Sequence, residues 1–214
     1  MSIHPTAVIH ERAAIGEDCD IGPFCVIGEN VKLGKGCTLH SHVVIDGHTE
    51  IGDENHFYPF SSIGLRTQDL KWKGGTAWTR IGDRNTIREY VTINSATGDG
   101  DATVIGDDNN FLAYTHIAHD CRIGNHVIMS NVGTLAGHVV VEDCAIIGGL
   151  AASVVGSLFA FAALRDRVIA AGGIHVEREF QIGPDSMLAS AEEWDGGAAF
   201  QCRCTGAVLY AVAL

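Results

Sequence analysis

Residues 115–120 read THIAHD and place His116 and His119 three positions apart, with Asp120 directly after the second histidine. A third histidine, His138, follows in the run LAGHV. A neutral imidazole can act as a general base near neutral pH, and an adjacent carboxylate can fix its tautomer. The same residue types also bind zinc. The segment therefore admits three interpretations: a proton-transfer site, a zinc site, or polar residues without chemistry.

A six-residue repeat of apolar residues indicates which elements carry these side chains. Stepping by six from Ile3 meets an apolar residue at every position to Ile63, and the phase returns at Ile81 and again from Ile105 to Ile147. The positions four residues later are small or narrow: Ala7, Ala13, Cys19, Cys25, Val31, Cys37, Val43, Thr49, Thr115, Cys121, Val127, Gly133, Val139 and Ala145. Three such hexads per coil predict a triangular parallel β-helix, in which each coil buries its apolar residues against its neighbours.

The cysteines and several asparagines fit the same repeat. Four of the seven cysteines occupy the small interior position, so they are predicted to be buried thiols that act as small apolar residues. Asn55, Asn85 and Asn109 occupy this position too and are predicted to bond to the backbone. An odd number of cysteines without a CxxC pair does not indicate a disulfide framework or a zinc ribbon.

Eighteen residues per coil bring the polar residues of the opening segment to one edge. Each residue should lie one strand spacing, ~4.8 Å, from the residue eighteen positions later. Gly137 is therefore expected beside His119, and His138 beside Asp120. Because a glycine has no side chain, its N–H can approach a developing oxyanion. His119 as general base, Asp120 as its orienting group and the Gly137 N–H as oxyanion donor form a candidate acyl-transfer site.

Composition restricts the partners and the location of the protein. A net charge of -12 argues against nucleic acid as the main partner, because phosphate binding requires a basic surface. No run approaches the ~20 apolar residues of a membrane span, and the first residues lack the regions of a signal peptide. The chain is therefore expected to be cytoplasmic.

The hexapeptide pattern resembles the left-handed β-helix acyltransferases, which are typically homotrimers. Four runs narrow this resemblance: QDLKWKG from Gln68, IGDRNTIREYVTIN from Ile81, THIAHDCRIGN from Thr115 and TLAGHVVVEDCAIIGGL from Thr134. In this order they resemble the UDP-N-acetylglucosamine 3-O-acyltransferases of lipid A biosynthesis, and the resemblance covers about residues 1–152. The fold expected from it is all-β, a left-handed parallel β-helix.

The resemblance implies a reaction and a role for each motif residue. A 3-hydroxyacyl group would pass from acyl carrier protein to the 3-hydroxyl of UDP-N-acetylglucosamine, with no cofactor and no metal. His119 would take the proton of the sugar hydroxyl, and Gly137 would donate to the oxyanion. The residues implied to contact substrate are His116, His138, Gln68, Asp69 and Lys71. Whether the acceptor is a 3-hydroxyl or a 3-amino sugar stays open, as does the acyl chain length.

Docking of an acidic carrier protein on an acidic chain requires a local basic cluster. The candidates are Arg66, Lys71, Lys73, Arg80, Arg84, Arg88 and Arg122. One departure from the family concerns the residues after VTI, where Asn94 is followed by serine, alanine and threonine rather than by arginine, glycine and threonine. The substrate contact that the resemblance would imply for an arginine there is therefore not carried over to this chain.

Two alternatives to acyl transfer stay open. The gamma class of carbonic anhydrases uses the same β-helix and binds zinc through three histidines across a trimer interface. In that family two histidines are five residues apart, whereas His116 and His119 are three apart. The second alternative is an inactive structural remnant.

The organisation expected is a β-helix domain at residues 1–152 with loops at 64–80 and 98–104, followed by a non-repeat tail at 153–214 with a helix near 158–171. The family match stops abruptly after Ala152, and the histidine that the family pattern has near Val154 is absent. The tail is either a natural variant with a different cap or the product of a shifted reading frame. The second hypothesis is preferred, and it predicts impaired activity for this chain.

Overall fold

The computed structural model describes residues 1–153, 157–158, 188–194, 197–204 and 207–213. Two compact units divide the chain, Met1–Ala160 and Phe161–Leu214. The strands of the first unit are β1 (Ser2–Ile3), β2 (Val8–Ile9), β3 (Ala14–Ile15), β4 (Asp20–Ile21), β5 (Val26–Ile27), β6 (Val31–Leu33), β7 (Thr38–Leu39), β8 (Val44–Ile45), β9 (His48–Ile51), β10 (His56–Phe57), β11 (Ser62–Leu65), β12 (Trp78–Ile81), β13 (Thr86–Ile87), β14 (Thr92–Asn94), β15 (Ala102–Ile105), β16 (Asn110–Phe111), β17 (His116–Ile117), β18 (Arg122–Ile123), β19 (Ile128–Met129), β20 (Thr134–Leu135), β21 (Val140–Val141), β22 (Ile146–Ile147), β23 (Ala152–Ser153) and β24 (Ser157–Leu158).

Every third strand joins the same parallel sheet. The first sheet runs from β1 to β22, the second from β2 to β23 and the third from β3 to β24, with eight strands in each. Coils without an insertion keep the eighteen-residue register, as between Ile117 and Leu135. The two loops lengthen their own coils, so that Phe57 pairs with Ile87 and Ile87 with Phe111. The predicted left-handed parallel β-helix is confirmed.

The interior holds the hexad residues and the small residues predicted for it. Cys25, Cys37 and Cys121 are fully buried, as the repeat indicated. Their thiols also donate to backbone carbonyls of the next coil, for example from Cys25 Sγ to His40 O at 2.8 Å. Burial raises the pKa of the Cys37 and Cys121 thiols to about 11, so both stay protonated donors at neutral pH.

A buried asparagine ladder links three successive coils. Asn55 Oδ1 accepts from Asn85 N at 2.9 Å, and Asn85 Oδ1 accepts from Asn109 N at 2.9 Å. The Asn85 amide also donates to Gly106 O at 3.0 Å. The predicted bonding of these asparagines to the backbone is confirmed, and it satisfies polar groups that water cannot reach.

The corners between the sheets have three different characters, and many of their residues have positive φ. The apolar corner, between the first and second sheets, is formed by Phe24, His42, Phe60, Tyr90, Tyr114, Val132 and Leu150. The polar corner, between the third and first sheets, is formed by Asp18, Gly36, Glu54, Arg84, Asp108, His126 and Cys144. The site corner, between the second and third sheets, contains Asp120 and His138. Aromatic and aliphatic residues thus predominate at the first corner and charged residues at the second, and the candidate site lies at the third.

The β-helix continues beyond residue 152. Strand β23 pairs with β20 in the usual register, but β24 pairs Leu158 with Val141 after seventeen residues instead of eighteen. This shorter last step explains why counting by hexads from Ile147 did not indicate the final strand. The family's histidine position near Val154 lies outside the described residues, as does the predicted helix at 158–171 apart from Leu158, which ends β24.

The second unit contains an antiparallel three-stranded sheet that was not predicted. Its strands are β25 (Leu188–Trp194), β26 (Gly197–Cys204) and β27 (Ala207–Ala213). They pair in the order β25, β26, β27. In the described part of the chain no helix has the length and apolarity to cross a membrane. The cytoplasmic location stays a prediction.

Candidate active site

The site corner brings together the residues that the eighteen-residue register placed side by side. His138 N donates to His119 O at 3.0 Å, which fixes adjacent coils at this point. Asp120 and His138 both have positive φ, 61° and 63°, so their side chains project from equivalent corner positions. The two imidazole rings of His119 and His138 lie edge to face, with centroids 5.1 Å apart.

His119 and Asp120 form an oriented imidazole–carboxylate pair. His119 Nδ1 lies 2.8 Å from Asp120 Oδ2, and because a carboxylate only accepts, the ring nitrogen carries the proton. Asp120 Oδ2 also accepts from Thr97 N at 3.1 Å, and Asp120 N donates to Thr103 Oγ1 at 2.8 Å. The carboxylate is nine-tenths buried. These contacts leave the lone pair on His119 Nε2, the nitrogen a general base needs.

The loop between β11 and β12 reaches the other side of the His119 ring. Asp69 Oδ2 lies 3.8 Å from His119 Nε2. The Lys71 N–H donates to Asp69 Oδ1 at 2.9 Å and is the main cause that lowers the pKa of this carboxyl. Thr67 Oγ1 accepts from Asp69 N and lies 3.1 Å from Thr97 Oγ1, so Thr97 links the loop to the site corner. Gln68 and Lys71 are exposed on this loop.

His116 lies one strand before the corner, in β17. Its Nδ1 is 2.7 Å from Thr92 Oγ1, on the neighbouring strand β14. Burial lowers the pKa of His116, and the nearby charge of protonated His119 lowers it further. His116 is therefore held as a neutral imidazole at neutral pH.

Gly137 lies directly against the His119 ring. A Cβ at this position would overlap the ring atoms Cε1, Nε2 and Nδ1 of His119. Within the described chain the Gly137 N–H donates to no other group. The glycine therefore leaves room for the ring and keeps a backbone donor available beside it.

Three threonines that the hexad pattern did not single out contact the site residues: Thr92, Thr97 and Thr103. Each bonds to a site residue through a hydroxyl or a backbone N–H. The loop between β14 and β15 adds six residues to its coil, so that Thr92 lies beside His116 after twenty-four residues. Correcting the eighteen-residue register for this insertion would have found Thr92 from the sequence.

One set of side chains in the described residues could hold a metal ion. His119, Asp120 and His138 each offer a ligand atom, and these atoms lie within 4.8 Å of one another. Asp69 lies near the other ring nitrogen of His119, with Oδ2 3.8 Å from Nε2.

The fold and the site together define a hexapeptide-repeat β-helix protein with an imidazole–carboxylate pair at a coil corner. Residues 3–112 match the family described as the GMPPB C-terminal domain. The chain belongs to this family.

The chain is also similar to acyltransferases, which confirms the resemblance carried by its motifs. The acyl-[acyl-carrier-protein]–UDP-N-acetylglucosamine O-acyltransferase of Thermodesulfovibrio yellowstonii is 57% identical over 144 residues, 67% of this chain and 56% of the relative. The LpxA structure from Acinetobacter baumannii is 44% identical with a TM-score of 0.69, covering 71% of this chain and 59% of that one.

A third similar protein is the UDP-N-acetylglucosamine acyltransferase of Francisella novicida, which is 43% identical with a TM-score of 0.66. That match covers 72% of this chain and 55% of the solved structure. The chain thus spans between half and two thirds of the length of these relatives.

Proposed function

We propose that this protein transfers a 3-hydroxyacyl group from acyl carrier protein to the 3-hydroxyl of UDP-N-acetylglucosamine, the first step of lipid A biosynthesis. The observation that carries the proposal is the His119–Asp120 pair, with Nδ1 held by the carboxylate at 2.8 Å and Nε2 left as the base. The names of the relatives support the donor and the acceptor.

The reaction balances with these residues alone. His119 Nε2 accepts the proton of the sugar hydroxyl as its oxygen attacks the thioester carbonyl carbon. The Gly137 N–H donates to the oxyanion that forms, in a position that no side chain obstructs. Collapse of this intermediate breaks the carbon–sulfur bond, and the imidazolium returns its proton to the leaving thiolate. Asp120 stabilises the imidazolium throughout.

The other residues that match the motifs of the family surround the His119–Asp120 pair, and they are proposed to contact the substrates. His116 is neutral and can accept or donate a hydrogen bond to a sugar group. His138 is exposed beside Asp120, while Gln68, Asp69 and Lys71 approach from the loop. Asp69, on the Nε2 side of His119, is suited to bind a hydroxyl of the acceptor.

The carrier protein is proposed to dock on the basic residues that have no internal ion pair. Three of the candidate arginines already form internal ion pairs: Arg80 with Glu50, Arg84 with Asp108 and Arg88 with Glu89. Their charges are therefore partly neutralised and attract an acidic partner less. For the other candidates no carboxylate of the described residues lies at ion-pair distance: Arg66, Lys71, Lys73 and Arg122. Three of these four are in or beside the loop that reaches His119, so a docked carrier would deliver its thioester to the site.

A homotrimer is the assembly proposed for this chain. The apolar corner supports it, since Phe60, Tyr90 and Tyr114 stack with centroids about 5 Å apart while remaining 43–56% exposed. Val26, Ile128 and Ile146 flank this corner and are exposed as well. Exposed apolar patches of this kind are typical of surfaces that another chain covers, which supports the proposed assembly.

The proposal is tested by assaying product formation with 3-hydroxyacyl carrier protein and UDP-N-acetylglucosamine. The full chain is compared with a chimera in which its residues 1–152 precede the C-terminal region of the Thermodesulfovibrio yellowstonii relative. We expect the chimera to form an ester, identified by its lability to mild base, and the full chain to turn over more slowly. An amide product from a 3-amino sugar with no ester would correct the acceptor, and no product from the chimera would contradict the proposed function.

A further inference from the structure

The ligand set His119, Asp120 and His138 has features beyond those that general-base catalysis uses. Catalysis by His119 needs Asp120 on Nδ1 and an accessible Nε2, but it does not need a second imidazole against the same carboxylate oxygen. His138 Nε2 nevertheless lies 3.8 Å from Asp120 Oδ2, the atom that is 2.8 Å from His119 Nδ1. One carboxylate oxygen therefore lies between two imidazoles.

These distances fit a zinc-class ion after small side-chain rotations. Zinc–nitrogen and zinc–oxygen bonds of about 2.0–2.2 Å place two ligands of a tetrahedral ion about 3.3–3.5 Å apart. The two observed separations, 2.8 Å and 3.8 Å, lie on either side of this value. The His138 side chain is 71% exposed and is free to rotate, whereas Asp120 is held by Thr97 N. The carboxylate is thus a fixed ligand and His138 an adjustable one.

We propose that His119, Asp120 and His138 bind a divalent transition-metal ion of the zinc class, and that this ion switches off the base. A neutral imidazole has one basic lone pair. If the ion binds Nδ1 of His119, the ring proton moves to Nε2. If the ion binds Nε2, it occupies the lone pair that would accept the proton. In both cases His119 can no longer accept the proton of an acceptor hydroxyl.

Binding of the ion by these three residues does not depend on the proposed function. Inhibition by the ion does rest on that function, because it acts by removing the general base. Imidazole and carboxylate ligands suit zinc, cobalt and nickel, whereas magnesium and calcium prefer oxygen ligands alone. The ion is thus expected to be one of the first group. Exposure of His138 provides an entry path from solvent.

Titration of the untagged full chain with Co²⁺ tests the binding directly. Cobalt bound by nitrogen and oxygen gives visible d–d bands, and cobalt bound by cysteine adds a thiolate charge-transfer band, which separates this site from the cysteines. We expect one ion per chain without the thiolate band, and displacement by Zn²⁺. His138→Asn should weaken binding at least about 10-fold, because it removes one of three protein ligands.

The matched control is His126→Asn. His126 is an exposed corner histidine with φ 55°, compared with 63° for His138, but it lies at the polar corner. Asparagine tolerates this backbone conformation, so both variants should keep the fold, which circular dichroism verifies. Asp120→Asn supplies a second variant that keeps a hydrogen-bond acceptor but loses the charge. Equal cobalt affinity for wild type, His138→Asn and Asp120→Asn would overturn the site.

The inhibitory effect has its own measurement. Zn²⁺ should abolish ester formation by the chimera, a chelator should restore it, and the zinc concentration for half inhibition should rise in His138→Asn. Full activity of a chimera whose site is saturated with Zn²⁺ would overturn the switch and leave the metal site standing. If the chimera forms no product at all, the proposed function fails, while the cobalt titration still decides the site.

Discussion

At the scale of single residues, the Asp120 carboxylate connects the base to the backbone around it. Its Oδ2 is shared by His119 Nδ1 and Thr97 N, so the orientation of the imidazole depends on the loop between β14 and β15. The hexad register, with histidine directly before aspartate, predicted the pair. It could not predict Thr97 as a donor, because the path of an irregular loop is not determined by the hexad.

Gly137→Ala should remove most of the acyl transfer of the chimera. The new Cβ would overlap the His119 ring, and loss of a positioned base typically costs ~10²- to 10⁴-fold in rate. The measurement is turnover together with thermal unfolding. Gly149→Ala is the control, since a Cβ there meets its nearest atom at an ordinary 3.5 Å. Normal turnover of Gly137→Ala would show that the ring is positioned elsewhere during the reaction.

His116 should titrate below its ordinary pKa of 6.5. Burial opposes the charged ring, and charge on His119 opposes it further. Since protonation is harder in the folded chain than in the unfolded chain, the free energy of unfolding should be unaffected by His116 above pH 6.5 and should fall as the pH drops from 6.5 to the lower pKa of folded His116. Histidine ring resonances recorded against pH, with His116→Gln for assignment, measure this directly. A His116 midpoint at or above 6.5 would contradict the burial deduced for this ring.

At the scale of elements, two-residue strands form a stable helix because every coil repeats the same contacts with the next. The hexad predicted the buried residues from Ile21 to Ile147 and the three-sheet arrangement, since a periodic pattern specifies a periodic fold. It did not predict β24, where the register loses one residue, or β25–β27, which lie in a segment without the repeat. The elements with local periodicity were thus predictable, and those that depend on a register change were not.

The asparagine ladder gives an element-scale prediction. Asn85→Ala leaves the buried Asn109 N–H and Gly106 O without partners, at a cost of about 1–3 kcal/mol each in the free energy of unfolding. Asn85→Cys should cost less, because cysteine at the same position donates to the equivalent carbonyl, as Cys37 Sγ does to Gly52 O at 3.3 Å. Urea unfolding at a fixed protein concentration measures both. Equal stability of Asn85→Ala and wild type would show that the ladder contributes nothing.

At the scale of the whole molecule, the β-helix has an apolar corner, a polar corner and a corner that carries the candidate site around Asp120 and His138. The proposed trimer predicts a solution mass three times the 22.7 kDa of the chain. Phe60→Asn combined with Tyr90→Asn should lower this mass, because both positions have positive φ, which asparagine tolerates, while the apolar stack is lost. Light scattering after gel filtration measures it, with Glu54→Asn at the polar corner as control. A trimer that survives the double substitution would place the interface on another surface.

The central claim is that His119 is the general base of an acyl transfer, and one comparison tests it most directly. Initial rates of ester formation are measured for the chimera, for its His119→Ala variant and for His126→Ala as control. We predict that His119→Ala lowers the rate by ~10²- to 10⁴-fold at saturating acceptor, with unchanged unfolding temperature, while His126→Ala retains the full rate. A His119→Ala chimera that forms ester at the unsubstituted rate would contradict the account.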